Sequence, residues 1–136
     1  MIFNPEESID FHGFTGPFIQ YTHARIKSIL RKAESTTKAE HTGTATPLLP
    51  LEKEVTIHLE QFTSMLEDAA TAFDPSKVAI FIFNLAKTFN ALYAEHSITN
   101  AETDEKKILR LQLAALTAKT LKTGMGVLGI HVPERM

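Results

Sequence analysis

One stretch, Asp74 to Ser97, constrains the fold more than any other. It reads DPSKVAIFIFNLAKTFNALYAEHS. Asp74 offers a cap, and Pro75 can occupy the first turn of a helix, where its missing N–H costs nothing. The β-branched and aromatic run Val78 to Phe83 would, by itself, also suit a strand. Two observations decide for a helix. Leu85, Ala86, Phe89, Leu92 and Tyr93 extend the apolar pattern at helical spacing, and no turn residue interrupts it. A helix that is apolar nearly all round is a central one, so other elements must cover it.

Three more amphipathic segments can supply that cover. PFIQYTHARIKSILRKAE has Ile26, Ile29, Leu30 and Ala33 on its core side, Arg25, Ser28, Arg31 and Lys32 elsewhere, and an expected end near Glu34. A second helix is expected over roughly Leu51 to Ala72. Its apolar stripe is Val55, Leu59, Phe62, Leu66, Ala69 and Phe73, and Glu52, Glu54, Glu60, Glu67 and Asp68 form an acidic face. The last is expected from Asp104 to about Thr123. Asp104 and Glu105 suit its first turn, Lys119 and Lys122 its end, and Gly124 is the expected stop. The pattern predicts an all-α fold: a bundle of about four long helices in a single domain, residues 1–136. An irregular lead-in (residues 1–14), an internal linker rich in Ser, Thr, Gly and Pro (residues 35–50) and a short C-terminal turn and tail complete it.

Composition excludes more than it assigns. There are no cysteines, which rules out disulfides and thiolate chemistry. No apolar run is long enough to span a membrane, and the start has no secretory apolar region, so a cytoplasmic protein is expected. The six histidines form no H-x-x-x-H pair, and no nucleophile elbow, P-loop or GxGxxG is present. No complete catalytic site and no metal site are expected. The net charge of −2 conceals an uneven distribution. Pro17 to Lys38 carries five Lys/Arg against one Glu, Ala39 to Pro75 seven acids against Lys53, and Asp104 to Met136 six basic residues against three acidic ones. Two basic segments adjacent in space would make a positive face.

Gln20, Tyr21, His23 and Arg25 form a dense polar-aromatic cluster in the first basic segment. Two accounts stand on the residues alone. Tyr21 packs at the core edge with Gln20 solvated, or the cluster binds single-stranded RNA by stacking, base-edge and phosphate contacts. A helical protein–protein interaction module with a basic docking face is the main rival reading. A catalytic bundle with an unrecognised metal is a lesser one.

TGPFIQYTHARIKSILRKA, Thr15 to Ala33, resembles the signature that opens the DALR-type anticodon-binding domain of arginyl-tRNA synthetases, usually written TGPYxQYAHAR. DPSKVAIFIFNLAKTFNALYAEHSI and the closing RLQLAALTAKTLKTGMGVLGIHVPERM resemble that family's later segments, in the same order. The resemblance implies a helical bundle that receives the anticodon loop of an arginine tRNA. It also implies a class I ligase, of which this chain is a C-terminal part without the catalytic domain. The fragment would then be inactive alone and hold no cofactor, the full enzyme using ATP with Mg2+. Its implied partners are the anticodon loop and the catalytic domain of the same enzyme, with no membrane and as a monomer. Carried over by position, Gln20, Tyr21, His23 and Arg25 match QYAHAR, while Tyr93 and Met136 match the tyrosine of the family's fn.fY segment and its terminal methionine. Arg31 and Arg135 complete the expected anticodon-binding set. Phe18 departs from the usual Tyr and Thr22 from the usual Ala, so a hydrogen bond made through a Tyr at position 18 is absent.

Overall fold

A computed structural model describes residues 16–34, 47–98 and 100–133. The expected lead-in and most of the expected linker lie outside these described residues. Among the described residues four helices follow in order: α1 (Gly16–Glu34), α2 (Pro50–Ala72), α3 (Pro75–Glu95) and α4 (Asp104–Val127). The described residues contain no strand, and the all-α expectation holds. α3 and α4 each pack against all three other helices. The continuous apolar pattern of α3 therefore ends up where it must, with Ile82, Leu85, Phe89 and Leu92 buried among Ile19 and Ile26 of α1, Val55 of α2 and Leu113 and Leu121 of α4.

The helix ends follow local chemistry. The Asp74 side chain accepts from the Ser76 amide at the start of α3, and the Thr103 hydroxyl accepts from the Lys106 amide at the start of α4. α2 ends on Phe73, a left-handed residue (φ 51°), with the Asp74 amide donating to Ala69 O at 2.9 Å. Phe73 was expected on the apolar stripe of α2. It is instead 93% exposed, because the left-handed turn carries it off the helix surface.

Two further expectations are overturned. Glu52, expected on the solvated acidic face, has no exposed surface at all. It sits one turn before Val55, in phase with the buried stripe. Its Oε1 accepts from Lys106 Nζ at 2.6 Å and from the Leu49 amide at 2.9 Å, and its Oε2 accepts from Arg110 Nε at 2.9 Å. Arg110, also fully buried, reaches on to Ser97 O at 2.7 Å and to Glu102, whose carboxylate takes the far edge of the guanidinium. Lys106 also donates to Pro47 O. The start of α2, the α3–α4 connection and the first two turns of α4 are thereby joined. Burial pushes the Glu52 carboxyl up, but the hydrogen bonds from Lys106, the Leu49 amide and Arg110 outweigh it and hold it below its usual value.

Gly124 was expected to stop the last helix. α4 runs through it to Val127, and Gly129 (φ 79°) makes the stop, with the Ile130 amide donating to Met125 O at 2.9 Å. Gly124 is instead a point of close helix approach. A Cβ there would lie 2.5 Å from Ile82 Cγ2.

These contacts give testable expectations. Gly124→Ala overpacks the α3–α4 contact and costs about 1–3 kcal/mol. Gly126→Ala meets nothing within 4 Å and should hold or raise stability by up to about 1 kcal/mol through helix propensity; paired thermal melts measure both. Glu52→Gln leaves two buried cations short of their counter-charge and should cost about 3–5 kcal/mol in urea unfolding. Because the folded Glu52 carboxyl lies below its ordinary 4.5, its contribution is complete above that value. It is lost as pH falls through the lower folded value. Acid should therefore weaken the native chain more steeply than the Gln variant.

Candidate functional site

The polar-aromatic cluster lies on α1, where the helical period divides it between two surfaces. Thr22 and His23 turn inwards, while Tyr21 is 51% exposed. Arg25 and Gln20 are half-buried.

Inward-facing His23 is only 1% exposed, and its Nδ1 lies 2.8 Å from Pro133 O. A carbonyl only accepts, so Nδ1 carries the proton in that contact. Gln20 Nε2 donates to His131 O at 2.8 Å. Two side chains one turn apart on α1 thus hold the backbone of the C-terminal tail, and Val132 between those carbonyls is buried. Residues 134–136 lie outside the described residues, and with them the expected Arg135 and Met136.

Outward, Arg25 and Tyr93 come together from α1 and α3. The Arg25 guanidinium carbon sits 4.2 Å from the Tyr93 ring centroid, a cation–π contact. Arg25 Nη1 donates to Asn90 Oδ1 at 3.1 Å. Asn90 Nδ2 in turn donates to Thr22 Oγ1 at 2.8 Å and to Ala86 O at 2.9 Å, and the Thr22 hydroxyl donates to Phe18 O at 2.9 Å. An open groove of about 530 Å³ runs beside them. It is lined by Tyr21, Ala24, Arg25, Ser28, Ile29, Arg31, Lys32 and Tyr93. A second hollow continues from Ile29, Lys32 and Tyr93 to Ala94, Glu95 and Ser97. Of the expected residues, the groove gathers Tyr21, Arg25, Arg31 and Tyr93. Gln20 and His23 lie on the tail instead.

Asn90 was missed by the sequence reading. The signal available was its spacing: residues 86, 90 and 93 share one face of α3, and that face meets α1. Thr22, a departure from the family pattern, is a hydrogen-bonding member of the site. Phe18, the other departure, packs edge-on against Phe83 with ring centroids 5.6 Å apart and so contributes to the α1–α3 contact.

The groove offers an exposed aromatic ring, a stacked guanidinium and two more cations. Among the described residues, no group of three or more His, Asp or Glu could hold a metal, and no helix is long and apolar enough to cross a membrane. The two basic segments do pack together as α1 and α4. However, Lys106 and Arg110 of α4 are committed to Glu52 and Glu102. The positive character at the groove comes from α1.

Comparison with known proteins gives a consistent result. A family model described as DALR anticodon binding domain matches residues 19–136. An arginine–tRNA ligase of Flavobacterium psychrophilum is 47% identical over 137 residues, covering 100% of this chain and 22% of the relative. One from Amoebophilus asiaticus is 43% identical over 139 residues, covering 100% and 23%. The solved Thermus thermophilus arginyl-tRNA synthetase superimposes with a TM-score of 0.77 at 33% identity, over 98% of this chain and 23% of that one. The chain spans less than a quarter of the length of these proteins.

His23→Ala should loosen the tail without melting the bundle. NMR would report it: the His131 and Val132 signals should move towards random-coil positions, while the amides of α3 around Leu85 and Phe89 keep their hydrogen-exchange protection.

Proposed function

Because this chain belongs to the DALR anticodon binding domain family, we propose that it reads the anticodon loop of an arginine tRNA as part of an arginine–tRNA ligase. The observation that carries this reading is the Tyr21–Arg25–Tyr93 groove. An unpaired base needs a ring to stack on, donors for its edge and cations for its phosphates, and the groove supplies all three from one face of α1 and one residue of α3. Tyr21, half exposed, is the stacking ring. Arg25, held over Tyr93, donates to a base edge, and Arg31 takes phosphate.

Gln20 and His23 act indirectly in this reading. They hold the backbone of the tail at His131 and Pro133; Arg135 and Met136, which the family resemblance adds to the binding set, lie outside the described residues. In this reading the chain acts as a monomer. Arginine activation, with its ATP and Mg2+, falls to the part of the enzyme that this chain does not span, and the complete ligase works in the cytoplasm.

Binding is the whole of this chain's task, and its strength can be bounded. Each stacked base contributes roughly 1–3 kcal/mol, and phosphate contacts add a salt-sensitive term. Association costs of at least about 4 kcal/mol oppose them. The chain alone should therefore bind an arginine anticodon stem-loop weakly, and more weakly as salt rises. Arg25→Ala should reduce that affinity by about tenfold, with helicity intact by circular dichroism. A titration against stem-loops with the middle anticodon base changed tests the reading. Base-dependent loss supports it; indifference to the loop sequence would favour a protein-docking role.

A further inference from the structure

We infer that Asn90 is a positioning residue for Arg25, anchored by Thr22, and that this pair sets how sharply the groove discriminates between bases. The inference rests on the anticodon-reading function proposed above.

The hydrogen bonds around Asn90 fix its orientation. Its Nδ2 has two protons and both are used, one to Thr22 Oγ1 and one to Ala86 O. Its Oδ1 accepts from Arg25 Nη1. Turning the amide over would set an N–H against the guanidinium, donor to donor, and an oxygen against the Ala86 carbonyl, acceptor to acceptor. Thr22 cannot yield either. Its own proton is committed to Phe18 O, so its oxygen is free to act only as an acceptor towards Asn90.

Asn90 does not line the groove, whereas Arg25 does. An arginine on a helix surface has a long stem with many rotamers, and ordering it on binding weakens the complex. Here the Tyr93 ring restrains the guanidinium from one side and the Asn90 oxygen holds one of its N–H groups. The guanidinium is thus presented in one pose before any ligand arrives. A nonspecific phosphate contact tolerates a mobile cation, because charge attraction is undirected. A base edge does not, because its donors and acceptors have fixed positions. Loss of Asn90 should therefore reduce discrimination between bases more than it reduces overall attraction to RNA.

The test is a double-mutant cycle on the full 136-residue chain. The probes are a synthetic arginine anticodon stem-loop and the same stem-loop with its middle base changed. Asn90→Ala should weaken cognate binding by up to about tenfold and change binding of the altered loop little, so the ratio between them shrinks. In an Arg25→Ala background the Asn90→Ala loss should disappear, a coupling that a purely structural role would not produce. Thr22→Ala should act in the same direction and Thr22→Ser should restore discrimination. Should Asn90→Ala fail to fold by circular dichroism, the Thr22 variants carry the cycle. An Asn90→Ala loss that persists unchanged in the Arg25→Ala background, or an unchanged ratio between the two loops, overturns the positioning role alone. An Arg25→Ala chain that binds both loops as the native chain does overturns it together with the anticodon reading at this groove.

Discussion

A carboxylate without exposed surface has to be met by charge, and in this chain Glu52 is met twice, by Lys106 and by Arg110. The three groups come from the start of α2 and one face of α4, and Arg110 extends the link to Ser97 O and Glu102 in the α3–α4 connection. A buried ion pair is a poor source of net stability but a strict condition on geometry, since removing one partner strands the others. The network therefore registers α2 against α4, and α3, which packs on both, inherits that register. At the other end of α4, Gly124 lets the Ile82 side chain approach where a Cβ could not. A polar clamp at one end and a close apolar contact at the other set how α3 lies against α4.

That placement of α3 creates the candidate groove. Tyr93 and Asn90 are fixed by α3, Tyr21, Thr22 and Arg25 by α1, and the Thr22–Asn90–Arg25 hydrogen bonds cross the gap between the two helices. The same helix α1 has a second duty on its buried side, where Gln20 and His23 grip the tail that follows α4. One helical turn thus serves two surfaces. Residues 21 and 25 face the groove, and residues 20 and 23 face the tail. The acidic residues of α2 that do remain exposed, among them Glu54, Glu60 and Glu67, are on a different helix from the groove cations, an arrangement suited to an anionic ligand approaching α1.

Much of the fold could be read directly. The uninterrupted apolar period of α3 required a central helix, and Asp74 with Pro75 marked its start. What escaped was long-range pairing. Glu52 is in phase with Val55 and Ala69, and Lys106 and Arg110 are in phase with Leu113, Thr117 and Leu121, so spacing alone put all three inwards. Their charge argued for solvent, and nothing local reveals that opposite charges 54 and 58 positions apart along the chain will meet. Gly124 misled for a similar reason: a glycine near a helix end reads as a stop, and only the neighbouring Ile82 shows that it is a contact. At the candidate site, the resemblance of QYTHAR to a known signature drew attention to one turn of α1 but could not separate its two faces, one lining the groove and one holding the tail. Asn90 carried no signal of its own, because an amide on a helix reads as solvated until its three hydrogen-bond partners are seen.

The central claim is that the α1–α3 groove receives a single-stranded RNA loop. Chemical-shift mapping by NMR, with an arginine anticodon stem-loop added to the isotopically labelled chain, tests it most directly. Perturbations should cluster on Tyr21, Arg25, Ser28, Arg31 and Tyr93, with smaller changes at His131 and Val132 in the clamped tail, and the exposed face of α2 around Glu60 and Glu67 should stay silent. Perturbations centred on α2, or none at RNA concentrations where the loop is bound, would contradict the account.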